Sequence, residues 1–222
     1  MPIRIDERLT AIANLVKGGA VADVGCDHGK LGYYLVSTDR AEKVIATDIS
    51  APSLQKAYEL AFDNGVSHLM ETRLGDGLSP IKSNEVDTVV IAGMGGDVMA
   101  EILSSARLEG KEYKHFILSP NTHPEKVRRE LALANHIIVT DSLTECVGKY
   151  YTIISTQLNK DYKETLDEEQ LVYGKFYTTD QVFAKRTKEE IATMRNILEI
   201  HKSSALEEKI AKYEAILEKV KL

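Results

Sequence analysis

Apolar positions recur along this chain with two alternating periods. Residues 8–16 set Leu9, Ile12, Ala13, Leu15 and Val16 on one helical face, which ends at Lys17-Gly18-Gly19. From there the pattern predicts strand 20–24, helix 30–38, strand 43–47, helix 52–63, strand 68–73, strand 86–92, helix 96–106, strand 114–118 and helix 123–134. Two more strands, 136–143 and 147–157, follow without an intervening helix and are predicted to form an antiparallel pair. Strands that alternate with helices imply a parallel sheet covered on both faces, an α/β doubly wound, Rossmann-like architecture with the antiparallel pair at one edge.

The pattern changes after Gln157. Residues 159–170 are polar and acidic and are expected to be a linker, leading to an amphipathic stretch at Leu171, Val172, Phe176 and Tyr177. Beyond it Ile191, Met194 and Leu198 form one helical seam, and Leu206, Ile210, Tyr213, Leu217 and Val220 another. The seams are out of register across His201-Lys202-Ser203-Ser204. A hairpin of two coiled-coil helices is expected, with Ser203 or Ser204 as cap helped by Glu207. One long helix that dimerises through a phase slip is the alternative. The expected division is a domain over 1–159 and a helical hairpin over 160–222, with a monomer favoured over a homodimer.

Composition changes this picture little, but charge does. Hydrophobic residues make up 43% and charged residues 28%, as in ordinary globular proteins, and no apolar run suggests a membrane span. Two cysteines are too few for a disulfide framework or a cysteine zinc site. The start, M-P-I-R-I-D-E-R-L, has no apolar signal core, so a cytoplasmic location is expected. The net charge of −6 counts against a surface coated for nucleic acid. It is unevenly spread: residues 1–159 hold 16 Lys and Arg against 21 Asp and Glu, whereas 181–222 hold 9 against 7. Any surface for a polyanion must therefore be local. Lys185, Arg186, Lys188 and Arg195 are the candidate cluster.

In an open parallel sheet the ligand lies beyond the carboxyl ends of the strands, so chemistry is sought in the turns that follow them. After the first strand, Asp23-Val24-Gly25-Cys26-Asp27-His28-Gly29 is a glycine turn through which backbone can approach a ligand. It lacks the glycine spacing of a dinucleotide fingerprint. Asp48, followed by Ile49, could accept both hydroxyls of a ribose. Asp76 beside Gly77 could accept from an adenine amino group. Ala92, Gly93, Met94, Gly95 and Gly96 let backbone pass close to a reacting centre, and Ser119, Asn121 and His123 share that rim. Each has a plainer account: Asp48 a helix cap, Asp76 a tight turn, the glycines a closely packed helix, His123 a helix start, Cys26 a buried filler, and the basic cluster a solvated face paired with glutamates. Their placement in consecutive turns favours a ligand site.

The first turn resembles motif I of the class I S-adenosylmethionine (SAM) methyltransferases, (D/E)-x-G-x-G-x-G, with Asp27 in place of the central glycine. D-V-G-C-D-H-G, I-A-G-M-G-G and L-S-P-N together resemble the bacterial tRNA (adenine-N1)-methyltransferases that act at adenine 22, the TrmK family, over the whole chain. The resemblance implies a class I methyltransferase fold, SAM as cofactor and tRNA as substrate. It places Asp23, Gly25, Asp27, His28, Gly29, Asp48, Ile49, Asp76, Gly77, Ala92 and Gly93 around SAM, and Cys26 and Met94, within the same turns, are cofactor-binding candidates with them. No N-P-P-Y motif follows the fourth strand, which argues against methylation of the exocyclic amine. Adenine N1 needs no general base, so Asn121, reading the base edge, and Asp97, stabilising charge on the ring, are candidates for assistance rather than proton transfer. Asn121, His123 and the Lys185–Arg195 cluster are the candidate tRNA contacts. A SAM-dependent methyltransferase of another acceptor, or a SAM- or nucleotide-binding scaffold, are the alternatives.

Overall fold

A computed structural model describes residues 3–221. Helix α1 (Glu7–Leu15) leads into β1 (Ala20–Val24), α2 (Lys30–Ser37), β2 (Lys43–Asp48), α3 (Ala51–Asp63) and β3 (Met70–Leu74). Then follow β4 (Thr88–Ala92), α4 (Gly96–Leu108), β5 (His115–Ser119), α5 (Pro124–Leu133), β6 (His136–Cys146) and β7 (Lys149–Leu158). The sheet order is β3-β2-β1-β4-β5-β7-β6. The first five strands run parallel, whereas β7 pairs antiparallel with both β5 and β6. Strand order therefore reverses between β1 and β4, whose following turns lie side by side. Val21, Ala22 and Val24 are buried because both sheet faces are covered. One core lies under α1, α2 and α3, the other under α4 and α5.

Two details differ from the sequence expectation. β6 runs further than predicted, β7 starts later, and the pair turns tightly at Val147 (φ 49°) and Gly148 (φ 70°). Paired positive φ values are what a two-residue hairpin with right-handed strand twist requires, and they override the strand preference of a β-branched valine. The expected linker 159–170 is irregular and mostly exposed up to Asp167, but it is pinned to β6 by one buried side chain. Glu164 is 3% exposed and accepts from Ile138 N (2.8 Å) and Lys175 Nζ (2.6 Å). Asp167 and Gln170 form a capping box that starts α6 (Glu168–Tyr173). The segment satisfies the outer edge of β6, so residue 160 does not mark the end of the sheet domain's packing.

A 3-10 turn, Tyr177–Thr179, precedes α7 (Gln181–Ile200) and α8 (Ser204–Glu218). Ser203 caps α8 through Leu206 N, and the two helices fold back on each other as a hairpin. Ile191, Met194 and Ile210 form their shared core with Leu198, Leu206, Tyr213 and Leu217. Tyr177, Phe183 and Ile216 anchor the base of the hairpin beside Leu143 of β6.

Candidate active site

The turn after β1 is built from alternating left-handed residues: Gly25 (φ 69°), Asp27 (φ 52°) and Gly29 (φ 68°). Asp tolerates this conformation better than most side chains, which explains how it replaces the central glycine of the motif. Asp27 N donates to Asp48 Oδ2 (3.1 Å), and Ser50 N donates to Asp48 Oδ1 (2.9 Å). Asp48 therefore ties the turns after β1 and β2 together while remaining half-buried at the rim. Ile49 beside it is 73% exposed, one of several exposed large hydrophobics, and it leaves an apolar face open beside Asp48. Asp76 is exposed and its carboxylate has no protein partner among the described residues. A pocket of about 330 Å³ opens beside it, lined by Asp76, Gly77, Val98, Glu101 and Ile102.

Not every motif residue faces outward. Asp23 is 4% exposed and accepts from Gly32 N (3.3 Å) beneath the turn. Burial pushes its carboxyl up to about 7, against the lowering effect of the Gly32 bond and with a further rise from the charge of Asp48. Cys26 is 8% exposed, and burial pushes its thiol up, so it is a packed filler and not a nucleophile. The exposed carboxylate of Asp27 lies 3.5 Å from His28 Nε2, which also meets Lys56 Nζ at 3.1 Å. Met94 lays its methyl group where any side chain on Gly25 would have to go.

The turns after β4 and β5 are knitted to each other. Gly93 N donates to Ser119 O (3.2 Å), Asn121 N to Met94 O (2.8 Å) and Gly96 N to Thr122 O (2.8 Å). A side chain at Gly96 would run into the carbonyls of Thr122 and His123, so the glycine is required by this packing. Asn121 Nδ2 donates to Gly93 O (2.7 Å), which leaves its Oδ1 as the open acceptor at the rim. Both oxygens of Asp97, in the first turn of α4, are engaged by His123 Nδ1 and Lys126 Nζ. Lys126 first, then His123, hold its carboxyl down at about 2. The expectation of an open carboxylate facing a charged base is therefore replaced by a bridge from α4 to the start of α5. Its anchor is His123, which precedes Pro124 at φ 47°.

The basic cluster is mostly neutralised. Lys185 pairs with Glu145 (2.5 Å), Arg186 with Glu190 (2.7 Å) and Arg195 with Glu214 (2.5 Å), whereas Lys188 is exposed with no partner among the described residues. Arg186 nevertheless lines a cleft of about 730 Å³ that also holds Asn121, Lys149, Tyr150 and Tyr151. This cleft joins the rim after β5 to the base of α7.

Residues 5–154 match the family model described as a methyltransferase domain. The tRNA (adenine(22)-N(1))-methyltransferase of Bacillus subtilis (strain 168) is 31% identical over 205 residues, covering 89% of this chain and 85% of that protein. The chain belongs to this methyltransferase family. Streptococcus pneumoniae Sp1610, solved in complex with S-adenosyl-L-methionine, superimposes with a TM-score of 0.83 at 28% identity, covering 96% of this chain and 100% of that one. M. capricolum TrmK, solved with S-adenosyl-homocysteine, gives a TM-score of 0.82 at 25% identity, covering 98% and 99%.

Arg8 and Tyr151, in contact near the rim, carried no sequence signal. Arg8 of α1 lies over the Tyr151 ring, its Cζ 5.1 Å from the centroid. Its Nη1 would be 3.5 Å from a Cβ placed on Gly93. Arg8 read as one polar position of an amphipathic helix, and only the docking of α1 beside β7 shows where it points.

Proposed function

We propose that this chain transfers a methyl group from SAM to N1 of adenine 22 in tRNA, as a cytoplasmic monomer. The observation that carries this reading is that the tie of Asp48 to the β1 turn and the Asn121–Gly93 clamp flank the sheet's switch point, with Asp76 after β3 at the same end of the sheet, in a chain of this family. The residues present suit the cofactor. Asp48 keeps lone pairs for the ribose hydroxyls, exposed Ile49 offers an apolar face to the adenine, and the free carboxylate of Asp76 can accept from its amino group. The left-handed Gly25–Asp27–Gly29 turn leaves room for close approach of the aminoacyl end, its own Gly25, Cys26, Asp27 and Gly29 amides being bonded within the fold. SAM supplies the electrophilic methyl on its sulfonium.

The chain's own contribution is positioning. Adenine N1 holds an in-plane lone pair at neutral pH, so no side chain has to remove a proton. Asn121 Oδ1 is free to accept from the exocyclic amine next to N1, an interaction that guanine, with a carbonyl there, cannot make. The Asp97–His123–Lys126 bridge holds the two rim turns in register. A base in the folded tRNA must be extruded to reach this rim, at a cost of a few kcal/mol. The intramolecular pairing of the α7 and α8 seams supports the monomer.

Incubation with labelled SAM and total unmodified tRNA, followed by nucleoside analysis, tests cofactor, acceptor and atom together. N1-methyladenosine, lost when position 22 is changed to guanine, is the expected product. Label in another nucleoside, or none, would overturn the reading.

A further inference from the structure

In a chain of net charge −6, most cations near the C-terminal half are neutralised by a neighbouring carboxylate, as Lys185, Arg186 and Arg195 are. Two at the cleft beside the transfer rim are not. Lys149, at the start of β7, lines the cleft and makes no ion pair among the described residues. Arg8 is half-buried over Tyr151, another lining residue, and among the described residues its guanidinium makes neither an ion pair nor a hydrogen bond.

A guanidinium partly shielded from water, with no protein acceptor on its donors, is open to an acceptor supplied by a ligand. The ring of Tyr151 holds the cation in place by its quadrupole but accepts none of the N–H bonds. The position is informative as well. Arg8 borders Gly93, whose carbonyl holds Asn121, so the free N–H edges stand next to the group that would face the target base. Lys149 adds a second unpaired cation to the cleft, whose lining also holds Glu125 and Arg186.

We infer that Arg8 on Tyr151, with Lys149, forms an oxyanion subsite that grips the phosphodiester flanking the extruded adenine. This rests on the methyltransferase reading above. Planar bidentate recognition of phosphate is what a guanidinium does better than an ammonium, and Lys149 adds a second point of charge. The subsite gives the enzyme a handle on the backbone at the moment the base leaves its stack. It also explains how an acidic protein holds a polyanion without a broad basic face. The other oxyanion within reach is the aminoacyl carboxylate of the cofactor, and the experiment separates the two.

Full-length protein and its Arg8→Ala, Arg8→Lys and Lys149→Ala variants are compared by tRNA binding across a salt series, by steady-state kinetics, and by SAM calorimetry. For Arg8→Ala, the log–log salt slope is expected to flatten by about one counterion and KM for tRNA to rise about tenfold, with SAM affinity unchanged. Arg8→Lys keeps the salt slope but not the full KM, because it retains charge and loses the fork. Lys149→Ala, an exposed position, flattens the slope without disturbing α1. Unchanged slope and KM in both alanine variants overturn the subsite and leave Arg8 as a packing residue. A loss of SAM affinity at Arg8 with an unchanged slope moves the oxyanion to the cofactor. The salt series needs no turnover, so wild-type protein that binds tRNA but fails to methylate it counts against the proposed activity and not against the subsite.

Discussion

Asp23 and His136 are buried titratable groups whose responses to pH oppose one another. Burial raises Asp23 from 3.8 to about 7, so the folded state holds a proton that the unfolded chain has lost, and stability falls as pH rises through that window. His136, 2% exposed against the ring of Phe116, is lowered from 6.5 to about 4, first by burial and then by the charge of His115. Its contribution is lost as pH falls from 6.5 towards 4. Between pH 4 and 6.5 the two slopes nearly cancel. Asp23→Asn, which keeps an acceptor for Gly32 N, should unmask the histidine: urea midpoints rise with pH across that range. At pH 8 the variant should exceed wild type by an amount on the order of 4 kcal/mol, since each tenfold change in proton affinity is worth roughly 1.4 kcal/mol. Midpoints that stay flat below pH 6.5 would contradict the assignment. Asp48→Ala should weaken SAM by about 1 to 3 kcal/mol in calorimetry, because ribose hydroxyls are left unpaired and the Asp27 and Ser50 amides are released. Unchanged SAM affinity would remove Asp48 from the cofactor site.

At the scale of elements, α5 and β6 are joined to the following segment by a buried ion pair. Arg128 Nε and Nη2 bond the two oxygens of Asp141 at 2.8 and 2.9 Å, Arg128 Nη1 donates to Leu171 O (2.6 Å), and Lys175 N donates to Asp141 Oδ2 (2.7 Å). Both side chains are at most 2% exposed, so neither charge has water to fall back on. Arg128→Ala should cost about 3 to 5 kcal/mol, since Asp141 is stranded. Replacing the pair together, Arg128→Met with Asp141→Leu, should recover most of that loss in urea denaturation. If the double variant were no better than the single one, the hydrogen bonds to Leu171 and Lys175 would be what matters. The pair explains why 160–180 cannot behave as a linker: its backbone completes the polar core of the sheet domain.

For the whole molecule, the consequence is where the hairpin can be removed. Truncation after Asp180 keeps Glu164, Leu171 and Lys175 in place and removes α7 and α8, whereas truncation after Lys160 uncovers the β6 edge and the Arg128–Asp141 pair. The shorter removal should leave a folded protein that binds SAM in calorimetry but has lost most methyl transfer to tRNA, because α7 and Arg186 form one wall of the cleft. The longer removal should melt well below it. Full tRNA activity in the 1–180 fragment would assign the hairpin no part in the substrate site. The alternation of strands and helices, the glycine turn at 25–29, the acids after β2 and β3, and the two out-of-register seams were legible in the sequence. Each is written within a few neighbouring residues as a period or as a turn that only certain residues adopt. The place of Arg8 over Tyr151, the bridge from Asp97 to His123 and Lys126, the pairing of Lys185 with Glu145, and the packing of 160–180 on β6 join residues far apart in the chain. Only the strand order, with β4 beside β5 and β7 between β5 and β6, brings these groups within bonding distance and decides which charges are neutralised and which are left for a ligand.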